Sequence, residues 1–415
     1  MTARWIHQFG RLALLLALVA SLSVAASACD DDEGEQLRIG VLGDFSGPLA
    51  EFGPLTLSAV ELAIKHINEA GGVNGQDVVF VTGDTRVDPT QAVEEARRLI
   101  DVEGVHAIAG PLASSSTLAV IESVAREAGI PVVSPSATSP ALSTANDNGY
   151  LFRSTISDAA QGVVLAQLAT DEGLSNVGVL FRDDAYGQGL SEVFGGAFGG
   201  SVTAVAYNPD GQASYLAELQ RAAGGGAEVL VAIAFPEEAE VFLREAIEND
   251  IFTRFLFVDG TKSQDLVDAI GGGFLDGSKG TAPGSGPASA ATEAWNAAYI
   301  DEYGALPTLP FVRETYDAVI AIALAAAAAE STDGEAIRDQ LTRIGTPGGT
   351  TVIPGPDGIR AALEALDDGD DINYEGAATT LDWDEVGDVT SGFIEIWEYR
   401  DGGIASIRDV PFSIE

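Results

Sequence analysis

The sequence predicts an α/β protein built as two halves, and three observations carry that expectation. Residues 37–134 alternate short apolar runs with amphipathic stretches at a spacing on the order of 30 residues, as right-handed βαβ connections in a parallel sheet require. A second series of the same design starts near Phe152-Arg153-Ser154-Thr155, without a convincing sequence repeat of the first. Between residues 271 and 287 Gly, Ser and Pro crowd together, the composition of a crossing or hinge. Length agrees, because 415 residues exceed one compact domain and suit two or three.

The first run, Leu37-Arg-Ile-Gly-Val-Leu-Gly, is apolar and ends in Gly, which reads as a buried strand. After the loop Asp44-Phe-Ser-Gly-Pro, the apolar positions Leu57, Val60, Leu62, Ala63, Ile64 and Ile67 favour one face of a helix. It runs to Ala70, where Gly71-Gly72 stops it. Residues 77–82 alternate as a strand, and Asp88-Pro89 caps a helix over 90–102. Strands are expected at 106–109 and 131–134, with a helical run between them. In the second series a helix over 159–170 leads to strands at 177–181, 202–207, 228–233 and 255–258, each behind a helix-like segment. Helices follow at 288–303, 311–329 and 334–344, then a turn-rich segment at 346–357 and a short helix around Leu363. Residues 379–414 return to strand patterning, broken by the turns Asp384-Glu-Val-Gly-Asp and Arg400-Asp-Gly-Gly.

The strands at 106–109 and 131–134 both end in small hydroxyl residues, Gly110-Pro-Leu-Ala-Ser-Ser-Ser-Thr and Ser134-Pro-Ser-Ala-Thr-Ser-Pro. Hydroxyl residues between a strand and a helix leave backbone N–H groups free and add side-chain donors. Two such clusters at the carboxyl edge of one parallel sheet lie side by side and make a pocket for a small anion such as a carboxylate. The other reading is two helix N-caps without a ligand.

Residues 1–28 read as a signal peptide: Arg4 and Arg11 are the positive region, 12–24 the apolar region, and Ala26-Ser-Ala the cleavage region. The only cysteine, Cys29, follows at once. The arrangement resembles a bacterial lipoprotein signal, with Ala26 where Leu is most usual. That resemblance implies a lipidated Cys29, an acidic tether over 29–36, and an exported protein anchored to the periplasmic or extracellular face of the cell membrane. The formal charge of −42, with Lys only at 65, 262 and 279, argues against nucleic acid or anionic lipid as partner. It reads as a solvated acidic surface suited to a salty medium.

Catalytic chemistry is not indicated. His7, His66 and His106 are far apart in sequence, and no His/Cys spacing suits zinc. Neither a nucleophile elbow nor a P-loop occurs. Gly187-Gln-Gly189 begins like a dinucleotide fingerprint, but Glu192 occupies the third glycine position. Asp183-Asp184 and Asp382/Asp384 read as solvated turns. No cofactor or metal is expected, and the chain reads as built to bind.

Several segments together resemble the type I periplasmic binding proteins that serve branched-chain amino acid ABC transporters. They are Ile39-Gly-Val-Leu-Gly-Asp-Phe-Ser-Gly-Pro-Leu-Ala-Glu-Phe-Gly, Asn68-Glu-Ala-Gly-Gly-Val-Asn-Gly, Asp88-Pro-Thr-Gln-Ala, the two hydroxyl clusters, Asp184-Ala-Tyr-Gly-Gln-Gly and Phe311-Val-Arg-Glu-Thr-Tyr-Asp-Ala. The resemblance covers nearly all of the chain after the signal. It implies two lobes, each a mostly parallel sheet flanked by helices, joined by three hinge crossings near Ser157, Pro283 and Phe393. The first lobe is then 37–156 plus 284–392, and the second 157–283 plus 393–415. It implies further that Ser114 and Thr138, with the backbone of Leu112, Ser136 and Ala137, hold a ligand's α-carboxylate. Asp259, where the family often has Glu, receives the α-ammonium, and Phe52, Tyr186 and Phe235 cover the ligand. The implied partners are an amino acid or similar small molecule and the permease subunits of an ABC importer, with the protein a monomer. A disulfide of some relatives is missing, Val87 and Ala113 standing at its positions. A sensory ligand-binding protein shares the fold and pocket. A hydrolase on an α/β scaffold lacks its nucleophile elbow and catalytic His here.

Overall fold

A computed structural model describes residues 35–413. The signal peptide, Cys29 and most of the acidic tether lie outside the described residues. Five strands, β1 (Arg38–Gly43), β2 (Val79–Asp84), β3 (Ala107–Ala109), β4 (Val132–Ser134) and β5 (Leu151–Arg153), form one sheet in the order β2-β1-β3-β4-β5. Every pairing is parallel. Parallel sheets are buried on both faces, so these strands are apolar throughout rather than alternating. Ile39, Val41, Ala107, Ala109 and Val133 face one apolar cluster, and Leu42, Ile108 and Val132 face the other.

The helix Gly53–Ala70 covers one face, with Pro at its start and Gly71 at its C-cap. Beside it packs the helix Val312–Ala328, whose alanines are buried along nearly its whole length. Small side chains let a helix sit between neighbours at close range, which is why an Ala-rich run here is core and not surface. The helix expected over 311–329 is found at Val312–Ala328.

The second sheet contains β6 (Asn176–Arg182), β7 (Ser201–Tyr207), β8 (Leu230–Ile233), β9 (Phe255–Phe257) and β10 (Lys279–Gly284). After a small parallel pair, β11 (Thr350–Val352) and β12 (Ile372–Tyr374), the chain returns to it as β13 (Ser391–Arg400) and β14 (Gly403–Ser413). The order is β14-β13-β10-β9-β8-β6-β7, parallel from β7 to β10 and antiparallel at β10–β13–β14. Asp401 and Gly402 both have positive φ, as a two-residue hairpin turn between β13 and β14 requires.

Two segments differ from the sequence reading. The Gly/Ser/Pro-rich stretch is not all loop, because β10 lies inside it. Its Pro283 comes after Gly280, the last residue with a β9 partner, so the missing N–H breaks no ladder on that side. The turn-rich segment before the helix Pro356–Asp367 contains β11.

The chain passes between the sheets three times. It leaves β5 for the helix Asp158–Asp171 and the second sheet. After β10 it returns to helices Ala290–Tyr303 and Val312–Ala328, whose Trp295 and Val312 pack in the first core, and then comes back at β13. The fold is therefore a two-lobe α/β architecture with mostly parallel sheets. The carboxyl ends of β1, β3 and β4 carry loops toward those of β6, β8 and β9, where ligands of open α/β sheets bind.

Candidate functional site

Between the sheets lies a small pocket lined by Leu49, Phe52, Leu112, Ala113, Ser114, Ser136, Tyr186, Phe235, Asp259, Gly260 and Phe311. Its volume is about 20 Å³, close to the room one water needs, so the lobes are shut on each other. A larger cavity of about 420 Å³ opens on the hinge side, but its Lys262 is already paired with Glu395 at 2.5 Å. The small pocket is the better site because unlike polar groups of both lobes converge there on apolar walls.

The first lobe contributes the two hydroxyl clusters. β3 and β4 pair directly, Ala109 opposite Val133, so the loops that follow them are adjacent, as the sequence predicted. They also bond to each other. The Ser134 hydroxyl donates to the Pro111 carbonyl at 2.7 Å, Ser136 Oγ to the Leu112 carbonyl at 2.8 Å, and the Ser139 amide to Ser114 Oγ at 3.3 Å. Ser114 is buried and lines the pocket, and its oxygen already accepts, which leaves its O–H to donate inward.

Thr138 and Ala137 sit behind this wall and do not line the pocket. The Thr138 hydroxyl donates to Asp158 Oδ2 at 2.9 Å, a bond that turns it toward the helix Asp158–Asp171. The Ala137 amide donates to Ser134 Oγ, and its carbonyl accepts from Arg153. Arg153 fixes the whole loop. It donates to the carbonyls of Ala137, Thr138 and Ser139 and forms a bidentate pair with Asp388 at 2.6 and 2.5 Å.

The second lobe contributes a stack. Arg182, held by Asp184 and Glu238, lies 4.3 Å from the Phe235 ring, which stacks on Tyr186 at 5.4 Å and 5°. The stack aims the Tyr186 hydroxyl at Asp259 Oδ1, 2.9 Å away, and Gln161 Nε2 donates to the same oxygen at 2.6 Å. Gly260 permits this approach, since a Cβ there would stand 2.5 Å from the Ala234 carbonyl. Asp259 is buried, and loss of water raises its carboxyl to about 6 despite the two donors. Burial likewise raises Tyr186, which stays a neutral donor.

Seven of the nine expected ligand-binding residues thus line one pocket: Phe52, Leu112, Ser114, Ser136, Tyr186, Phe235 and Asp259. Leu49, Ala113, Gly260 and Phe311 complete it and were not anticipated. Phe311 begins the helix Val312–Ala328 in the left-handed region, φ 72°, a conformation a bulky residue adopts only where its surroundings impose it. No sequence signal marks it. Val87 and Ala113, at the positions of the relatives' disulfide, both pack in the apolar cluster around the pocket.

Bonds across the cleft hold it shut. Ser139 Oγ donates to the Ala185 carbonyl at 2.6 Å, and the Ala185 amide to Ser115 Oγ at 3.3 Å. Glu51, from the loop after β1, accepts from the Ser263 hydroxyl and from the amides of Gln264 and Asp265, at 3.1 and 3.3 Å.

This arrangement has counterparts. A family model described as periplasmic binding protein matches residues 36–366. The chain is 26% identical to the chemotactic signal transduction system substrate-binding protein BasB of Halobacterium salinarum over 380 residues, 89% of each chain. It is 27% identical to the leucine-specific-binding protein of Salmonella typhimurium over 401 residues, 95% of this chain and 98% of that one. The solved leucine binding protein LivK of Thermotoga maritima superposes with a TM-score of 0.76 at 23% identity, covering 90% of this chain and 98% of that one. Among the described residues no helix is long and apolar enough to cross a membrane, and no cluster of His, Cys, Asp and Glu could hold a metal. With two parallel-sheet lobes closed on a pocket of opposed donors and acceptors, and a family match over most of its length, the chain belongs to the periplasmic binding protein family.

Proposed function

We propose that this is a lipid-anchored, extracytoplasmic solute-binding protein that captures an amino acid with a branched apolar side chain and delivers it to an ABC importer. The observation that carries the reading is the opposition of Ser114 and Ser136 on one wall to Asp259 and Tyr186 on the other. A zwitterion needs donors at one end and an acceptor at the other, each charge-assisted bond contributing about 1.5–3 kcal/mol. In this reading Ser114, with backbone amides of both hydroxyl loops, holds the carboxylate. Asp259 and Tyr186 take the ammonium, and Leu49, Phe52, Leu112, Phe235 and Phe311 surround the side chain. Thr138 acts at one remove, through Asp158.

The lobes are 37–156 plus 284–392 and 157–283 plus 393–415, with crossings near Ser157, Pro283 and Phe393. Splitting the ligand's partners between them makes the closed state bind better than the open one, so ligand shifts the hinge equilibrium. The closed monomer is the form an importer's permease subunits recognise. The names of the Salmonella relative and of the Thermotoga structure support leucine-type ligands. A sensory role is the alternative, favoured by the Halobacterium relative's part in chemotactic signalling.

A thermal-shift screen of the mature domain against amino acids, small amides and aromatic acids tests the ligand class. At a hundred times its dissociation constant, the true ligand raises stability by about 2.7 kcal/mol. If no amino acid moves the melting point, the assignment fails. Cys29→Ser tests the anchor: the variant leaves the membrane fraction, and its persistence there would refute lipidation.

A further inference from the structure

Asp158 has no place in the ligand contacts above, yet it is fully buried close to Asp259. It opens the helix Asp158–Asp171, and Gln161, one turn along the same helix, donates to Asp259 Oδ1. Two buried sets of bonds, Thr138 to Asp158 and Gln161 with Tyr186 to Asp259, therefore meet on one turn of this helix. Both carboxylates fall in the second lobe, Asp158 at the crossing beside Ser157 and bonded to Thr138 of the first lobe, and closing the lobes covers both.

The charged groups around the pair do not neutralise it. Arg153, from β5, is the nearest cation to Asp158 and is committed to Asp388 and three carbonyls. Arg182 is committed to Asp184 and Glu238, Lys262 to Glu395 on β13, and Lys279 on β10 to Glu172. Tyr186, the remaining titratable neighbour, is a neutral donor.

Two acceptors in these sets, Asp158 Oδ1 and Gln161 Oε1, are buried with no hydrogen-bond donor among the described residues. A buried acceptor without a donor is costly, and two of them one helical turn apart are relieved together if one carries a proton. Two carboxylates buried near one another cannot both ionise without a cation between them. Burial first, and Asp259 second, hold Asp158 well above the ordinary carboxyl range.

We propose that Asp158 and Asp259 hold one proton between them in the ligand-free cleft and that the ligand's ammonium replaces it, so that capture releases a proton to solvent. Asp158 is then a positioning residue for binding: it acts through Gln161 and Asp259, and it selects for ligands that bring a full positive charge to this end. No bond other than O–H is broken, and the ammonium keeps its own protons. The inference rests on the amine end lying at Asp259, as in the proposed function.

The test is calorimetric titration of L-leucine into the mature domain in buffers of different ionisation enthalpy. At pH 5 the dependence of heat on buffer gives about one proton released per leucine, and affinity rises about tenfold per pH unit below pH 6 before levelling above it. In Asp158→Asn, which keeps the shape and the bond to Thr138, less proton is released and the rise in affinity moves to lower pH, because burial alone then holds the proton on Asp259. Wild-type binding without proton release overturns this inference and leaves the amino acid reading standing, as does an unchanged profile in Asp158→Asn. Failure of leucine to bind at any pH removes both.

Discussion

Replacing Arg153 by Ala is expected to cost the protein about 3–5 kcal/mol of stability, the typical penalty for breaking a buried ion pair from one side. Arg153 is 1% exposed, and its guanidinium bonds to Asp388, Ser143 and the carbonyls of residues 137, 138 and 139. Ala leaves the Asp388 carboxylate without its bidentate partner and the Ala137 carbonyl without its donor, while those of Thr138 and Ser139 keep the amides of Asp158 and Leu142. The loop that follows β4, which presents Ser136 to the pocket, then loses its support. Lys does not rescue, because a point charge cannot serve a planar fork of acceptors on both sides. Thermal unfolding of wild type, Arg153→Ala and Arg153→Lys measures this. Equal melting points would show that the cluster contributes nothing net.

Asp259→Asn is expected to weaken amino acid binding by about 10²–10³-fold, the usual result of leaving a buried charge unpaired at an interface. Asn keeps the shape and can still accept from Tyr186 and Gln161, so the pocket survives while the ammonium loses its counter-ion. The effect on the empty protein has the opposite sign. Burial raises Asp259 to about 6, above its value in the unfolded chain, so holding it ionised costs folding energy increasingly as pH rises through that range. The ligand-free variant is therefore more stable than wild type at pH 7, and equally or less stable at pH 4. Calorimetry with leucine and melting curves at both pH values separate the two effects. Unchanged affinity would remove Asp259 from the site.

Both lobes were legible in the sequence because parallel strands buried on two faces read as continuous apolar runs, and several helices carry their own caps. Asp88, Ser157, Asp184 and Ser289 each accept from an amide in the first turn of the helix they precede. β10 was hidden because its Pro283 and Gly284 pair with β13 alone, which composition cannot show. The hydroxyl loops were legible as a pair, since strand order follows from βαβ connection. Thr138 was not, because its hydroxyl is taken by Asp158, a residue twenty positions on that only the fold brings near. Asp158 itself reads in sequence as an ordinary acid at a helix start, and its significance comes from burial beside Asp259. Phe311 owes its place to a backbone conformation that nothing local prefers. The acidic surface, by contrast, needed no fold to be read.

The central claim is an orientation: carboxylate toward Ser114 and Ser136, ammonium toward Asp259 and Tyr186. A crystal structure of the mature domain with L-leucine tests it directly. The account predicts the leucine nitrogen within hydrogen-bonding distance of Asp259 and its carboxylate at the hydroxyl loops, between closed lobes. Leucine bound the other way round, or outside this cleft, would contradict it.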